Sequence, residues 1–373
     1  GSKEAYGRII AEYGASNQSA SFGKVPSSLL MEDVLLSYVL FAKNYYSGSS
    51  EFDNLRLVVR PLTELYASVS AHKFSAAEFK AVREWWASDK SRSRQYVNKQ
   101  MKRTLRIVKW AVGEGMMPAA NYTAIKCVAP LARGRCDSPE TSRITCVDLS
   151  LVEATIPCLT PVLAAMVRFQ QLTGCRPGEV CKIRPRMVDL NGDVWTVTLL
   201  EHKTAHRGKQ RTIYVGPQAQ AVLAPYLLRA QDAHCFSPIE SEKQRRMAIH
   251  ARRTTRASCG NRPGYGELTR QGRKPRREPG QEWTASTYAQ AIRHACDRAH
   301  PVDKRATELQ KKIWQKQHRW SPNQLRHSAA TEIRKQFGLD AAQVILGHSG
   351  MEVTQVYAEQ DREKAVHVAL MRG

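Results

Sequence analysis

The spacing of apolar positions divides the chain into two parts with different rhythms. From Ser28 to about Leu131 apolar residues recur every three to four positions in four successive segments: SSLLMEDVLLSYVLFAKNYY, EFDNLRLVVRPLTELYASV, SAAEFKAVREWWAS and RQYVNKQMKRTLRIVKWAVGEG. That is the spacing of helices that bury one face, and no alternating run interrupts it, so residues 28–131 are expected to form an all-helical domain. Residues 1–27, closing on GASNQSASFGK, read as a flexible arm, and the polar stretch ARGRCDSPETSRIT (132–145) reads as a linker. Beyond it PVLAAMVRFQQLTG has helical spacing. VWTVTLL (194–200) and QRTIYVG (210–216) then carry β-branched residues in strand-like clusters around the polar turn EHKTAHRGK. Helical spacing resumes at Thr284. The chain as a whole is therefore expected to be mainly α with a small antiparallel β-sheet, the sheet lying in an α+β domain that spans 146–373.

Charge narrows the partner. Lys and Arg number 57 against 34 Asp and Glu, a formal net charge of +23, which puts most surfaces under a positive potential and points to a polyanion, nucleic acid above all. The charge is not spread evenly. On the fourth helical segment Val97, Met101, Leu105, Val108 and Val112 gather on one side, while Lys99, Lys102, Arg103, Arg106 and Lys109 gather on roughly the other, with no acid among them. Such a face suits phosphate contacts. Residues 240–280 hold 12 Lys and Arg against 4 Asp and Glu, with Gly and Pro throughout, and read as a basic inserted loop. The nine cysteines form no C-x-x-C pair, so no metal site is expected, and free thiols suit a reducing, cytoplasmic compartment. No apolar run approaches the ~18 residues of a membrane span and no leader pattern opens the chain, so no membrane partner is expected.

Four stretches of the second domain carry chemistry. In TGCRPGEV, Arg176 stands at a Gly-bounded turn that opens a helix, with Glu179 three residues on to orient its guanidinium, an arrangement suited to bidentate phosphate binding. Lys203 lies between the two strands. SPNQLRH starts a helix, with Ser321 as cap and Pro322 at the first helical position. The helix continues through HSAATEIRKQF and is expected to stop at Gly338. Its Ala- and Leu-rich composition turns it inward, so Arg326 is expected either in solvent or against a negative charge in a sheltered place. In LGHSGMEVTQVY, His348 follows Gly347 and Tyr357 comes nine residues later.

Taken in this order, the stretches resemble the tyrosine recombinases, the phage integrase family. That pattern is a T-G-x-R-x-x-E box, a hairpin lysine, a His-x-x-Arg box, a Leu-Gly-His box and a tyrosine about nine residues later. Here they fall on Arg176 with Glu179, Lys203, Asn323 to Arg326, His348 and Tyr357. The NQLRH…AAT form and the basic insertion look most like integrases of planctomycete-type bacterial genomes. The resemblance implies a core-binding helical domain and a catalytic domain that clamp double-stranded DNA in the bacterial cytoplasm, at the nucleoid. It implies that Tyr357 attacks a phosphodiester to give a 3′-phosphotyrosyl bond, without metal, ATP or other cofactor. Arg176 and Arg326 would hold the charge of the transition state, Lys203 would protonate the leaving 5′-oxygen, and His348 would hydrogen-bond a non-bridging oxygen or the tyrosine. The family's usual histidine is replaced by Asn323, which forms hydrogen bonds but takes no proton.

The apolar stripe Ala365, Val366, Ala369 and Leu370 makes 358–373 a tail helix, which by resemblance docks on a neighbour and ties four protomers into a ring on DNA. Free of DNA, the chain is expected to be a monomer or weak oligomer. Two other activities fit the same residues: type IB topoisomerase-like relaxation of DNA, and DNA binding without catalysis, which Asn323 keeps open.

Overall fold

The computed structural model describes residues 6, 8–11, 28–141, 144–199, 211–252, 254, 279–303 and 305–347. The chain divides into two compact units, residues 1–143 and 144–373.

In the first unit the helical spacing becomes α1 (Met31–Tyr45), α2 (Glu51–Tyr66), α3 (Ala76–Ala87) and α4 (Arg94–Gly113), followed by a short α5 (Ala119–Lys126). Their inward faces supply one core, with Val34 and Tyr38 from α1, Val58 and Leu62 from α2, Val82 and Trp86 from α3, and Val97, Ile107 and Val108 from α4. Ser75 and Glu78 form a reciprocal capping box at the start of α3, and Ser93 caps α4, so the helix starts are written locally. Pro61 lies inside α2 and is buried; the helix runs through it because the core packing there outweighs the lost ladder bond. The first part of the polar stretch after Leu131 is seated on α4. The Asn98 carboxamide brackets the backbone of Leu131, and Glu140 takes both the Arg94 guanidinium and the Gln95 amide.

The second unit contains α6 (Leu149–Thr155), α7 (Pro161–Thr173), the single turn α8 (Pro177–Val180), strands β1 (Val188–Asp189), β2 (Trp195–Leu199) and β3 (Arg211–Val215), then α9 (Pro217–Leu223), α10 (Pro238–Ala251), α11 (Ala285–Ala299), α12 (Glu308–His318) and α13 (Pro322–Leu346). The sheet is antiparallel in the order β1-β2-β3, with Trp195 opposite Val215, Val197 opposite Ile213 and Leu199 opposite Arg211. Val197, Leu199, Ile213 and Val215 join Met166, Val167 and Phe169 of α7 and Tyr288 and Ile292 of α11 in the core.

Two expectations change here. The stretch 240–280 is not a loop from its start: α10 occupies 238–251, capped by Ser237, and only 252, 254, 279 and 280 of the rest are described. Its Ser-Pro opening and the run EKQRRMAIHA are good helix formers, which the count of charges concealed. Gly338 does break the helix that begins at Pro322, with φ 89° and ψ −179°, yet helix resumes at once and runs on to Leu346 before Gly347 ends it in the left-handed region at φ 63°. Among the described residues no helix is long and apolar enough to cross a membrane.

Candidate active site

The turn that carries Arg176 follows the C-terminus of α7, where Gly174 adopts φ 62°. A Cβ there would lie 2.9 Å from Leu346 and 3.3 Å from Ala329, so this glycine serves both the left-handed cap and the close approach of α7 to α13. Three side chains then fix the turn's backbone. Arg326 Nη1 donates to the Gly174 carbonyl at 2.9 Å, Gln170 Nε2 donates to the Cys175 carbonyl at 3.0 Å, and the Arg176 amide donates to Glu179 Oε2 at 2.8 Å. Glu179 also accepts from Arg176 Nη1 at 2.7 Å, so one carboxylate caps α8 and orients the guanidinium. Arg176 keeps 39% of its side chain exposed while Glu179 is buried, which leaves the cation available to an anion and hides its orienting partner.

Glu179 has a second guanidinium that the sequence reading missed. Arg211, at the start of β3 and buried, donates from Nε and Nη2 to the two oxygens of Glu179 at 3.2 and 3.3 Å, and from Nη1 to the carbonyls of Thr212 and Ile345. Gly347 packs on the same guanidinium: a Cβ on it would lie 2.5 Å from Arg211 Nη1, so the glycine of the Leu-Gly-His box is required by close approach as well as by its left-handed backbone. The signal for Arg211 was available. In RTIYV strict alternation places Arg211 on the face of Ile213 and Val215, which is the core face. Burial by itself would raise the Glu179 carboxyl; the Arg211 charge, the Arg176 amide and the Arg176 charge outweigh it and hold the group below the usual carboxylate range.

Arg326 lies in a sheltered place rather than in solvent. It is 1% exposed, and its guanidinium donates to two main-chain oxygens, to Gly174 O from Nη1 and, at 2.8 Å, to Leu346 O from Nη2. Both carbonyls stand at helix C-termini, where backbone acceptors lack helical partners and the helix dipole is negative. That partial charge makes burial of the guanidinium tolerable. Asn323 lies one turn earlier on α13 and is half-buried. His327 is buried on the same helix; burial first, then the Arg326 charge, hold its pKa below the ordinary histidine value, which favours the neutral ring. Lys203, His348 and Tyr357 lie outside the described residues.

In the first unit the expected basic face is four residues. Lys99, Lys102, Arg106 and Lys109 are exposed along α4, but Arg103 is buried, with Nε and Nη2 on Glu51 at 3.0 and 2.8 Å. Arg103 sits at the edge of the basic arc beside the buried Gln100, and α2 brings an acid to it that no reading of α4 alone contains. Arg106 Nη1 shares that carboxylate at 2.9 Å and reaches the Tyr46 hydroxyl.

The phage integrase family matches residues 149–364. Among solved structures the fold is similar to a lambda integrase fragment crystallised as a dimer on a COC′ core site, at 12% identity, over 89% of this chain and 96% of that one, with a TM-score of 0.59. It is similar to the Tn1549 transposon integrase in complex with a circular intermediate DNA, at 12% identity, over 93% and 100%, with a TM-score of 0.57. A lambda integrase tetramer bound to a Holliday junction matches at 12% identity over 90% and 79%, TM-score 0.59. No curated protein matches the chain. The chain belongs to the phage integrase family, the tyrosine recombinases.

Proposed function

We propose that this tyrosine recombinase cuts and rejoins double-stranded DNA at specific sites, with Tyr357 as the nucleophile. Its oxygen, as the phenolate that the neighbouring cations favour after release of the proton to solvent, attacks the phosphorus, the bond to the 5′-oxygen breaks, and Lys203 gives that oxygen a proton, leaving a 3′-phosphotyrosyl bond and a 5′-hydroxyl. A hydroxyl from another strand reverses the step, so bond energy is conserved and no cofactor is consumed. Arg176 and Arg326 neutralise the transition state, His348 hydrogen-bonds a non-bridging oxygen or the tyrosine, and Asn323 serves as a hydrogen-bond donor where the family has a base.

The observation that carries this reading is the meeting of two guanidiniums on one turn: Arg176 projects from it, and Arg326 is bonded to its Gly174 carbonyl. A pair of fixed cations held by buried backbone and a hidden carboxylate is preorganised for a phosphoryl group rather than assembled by it. The exposed cations of α4 supply phosphate contacts to the flanking duplex. Lambda integrase has been captured as a tetramer on a Holliday junction. By analogy four protomers of this chain assemble on DNA, joined through 358–373, and act at the bacterial nucleoid.

The test is a nicked suicide substrate, from which the cleaved fragment diffuses away. Wild type should form a covalent protein–DNA adduct in the presence of a chelator, and Tyr357→Phe should bind the DNA about equally and form none. An adduct from the phenylalanine variant removes Tyr357 as nucleophile. Tight, salt-sensitive binding with no adduct from wild type makes the chain a DNA binder without catalysis.

A further inference from the structure

Gln170 is a polar residue at a position that α7 would otherwise fill with an aliphatic one. It is fully buried, where an unsatisfied amide is costly, yet every arm of it is bonded. Nε2 donates to the Cys175 carbonyl at 3.0 Å and to the Pro322 carbonyl at 2.9 Å, and Oε1 accepts from the Tyr288 hydroxyl at 3.2 Å. The two carbonyls belong to segments 147 positions apart, Cys175 and Pro322, and they are the immediate N-terminal neighbours of Arg176 and Asn323. One planar NH₂ group with two donors therefore sets the separation of the two boxes that hold the phosphate.

We infer that Gln170 is a positioning residue of the recombination site, a strut that fixes the Arg176 turn against the start of α13, with Tyr288 holding its amide in the one orientation that serves both carbonyls. This rests on the recombinase reading above. Arg326 also ties the two segments, through Gly174, but its guanidinium is the group proposed to meet the scissile phosphate and must divide its donors between backbone and substrate. Gln170 touches no substrate and keeps its bonds when Arg326 redirects its own. A leucine would fill the space and leave the Cys175 carbonyl without the amide and the Tyr288 hydroxyl without its acceptor, so the core would persist while the registry of the two boxes relaxed.

Single-turnover cleavage of the suicide substrate, at protein concentrations that saturate DNA, separates this from a general loss of stability. Q170L should lower the adduct-forming rate about 100-fold, the scale of a misplacement near 1 Å. Its Kd for DNA should stay within about three-fold, because phosphate contacts elsewhere dominate affinity. Y288F, which keeps the core volume and removes only the hydroxyl, should lower the rate about five-fold, the equivalent of one neutral hydrogen bond. Should Q170L fold poorly, Y288F alone decides. Hydrogen exchange of wild type and Y288F without DNA gives a readout that needs no turnover: amides of 174–180 should exchange faster in the variant while those of α4 do not change. Rates for both variants within two-fold of wild type, or unaltered exchange at 174–180, overturn the assignment. A wild type that forms no adduct overturns the recombinase reading instead, and the exchange result still decides the strut.

Discussion

The Glu179–Arg211 pair allows stability and catalysis to be separated by mutation. In Arg211→Met the carboxylate stays buried, at 7% exposure, and loses the guanidinium that touches both its oxygens; only Arg176 and its amide remain. Removing one partner of a buried pair costs about 3–5 kcal/mol because the other charge is left uncompensated. Taking the low end, because Arg176 persists, about 3 kcal/mol corresponds to a fall in Tm of roughly 6–12 °C for a unit of this size. Adding Glu179→Gln removes the stranded charge, so Glu179→Gln/Arg211→Met should recover most of the lost Tm. Catalysis should not recover with it. A carboxamide oxygen cannot serve the Arg176 amide and guanidinium as a carboxylate does, so the catalytic arginine loses its orienting partner, and cleavage of bound DNA should remain about 100-fold down. Calorimetry on the three proteins beside suicide-substrate cleavage makes the comparison. If the double variant regained cleavage in step with Tm, the pair would be a stabilising contact only, and its role in aiming Arg176 would be wrong.

Glu179 also carries a pH signature. Its folded pKa lies below its unfolded one, so its stabilisation is present above the ordinary value of about 4.3 and lost as pH falls through the folded value; acid unfolding of Glu179→Gln should lack that component. His327 has the same sign for a different reason: its folded pKa is depressed by burial and by Arg326, so the unfolded chain binds the proton more readily and stability falls as pH drops below about 6.5. His327→Gln should flatten that limb of a Tm-versus-pH curve, and an unchanged curve would contradict it. Replacing Lys99, Lys102 and Lys109 by Ala should reduce the slope of log Kd for DNA against log salt by about 3, near 0.9 per phosphate contact. Arg103→Met should leave that slope unchanged while destabilising its unit by about 2 kcal/mol through the loss of charge-assisted bonds to Glu51. A slope altered by Arg103→Met, or unaltered by the lysine variant, would reverse the description of the α4 face.

Much of the scaffold could be read along the chain, because the signals that make it are local. Ser75 with Glu78, Ser93, Thr160 and Ser321 with Gln324 cap helices within three residues of themselves, and the 3.6-residue spacing of Val97, Met101 and Val108 needs only α4 to be seen. The order of the Arg176, Arg326 and Gly347 boxes is likewise a property of sequence. Alternation in RTIYV even marked Arg211 as inward-facing, though not what it would meet.

Partners were a different matter. That Arg103 is consumed by Glu51 follows from α2 crossing α4, 52 residues away in sequence, and reduces the basic face to four residues. That Arg326 rests on the ends of two helices follows from the close approach of α7 and α13 at Gly174. That Glu179 answers to two arginines follows from β3 lying beside α8. The sequence by itself determined most of the helices and strands and which chemistry the chain carries, though not the helix at 238–251 or the continuation past Gly338. Only the tertiary structure decided which charges neutralise one another and which remain for DNA, because a buried charge is governed by whatever the fold brings within hydrogen-bonding distance, and that distance is not written in sequence separation.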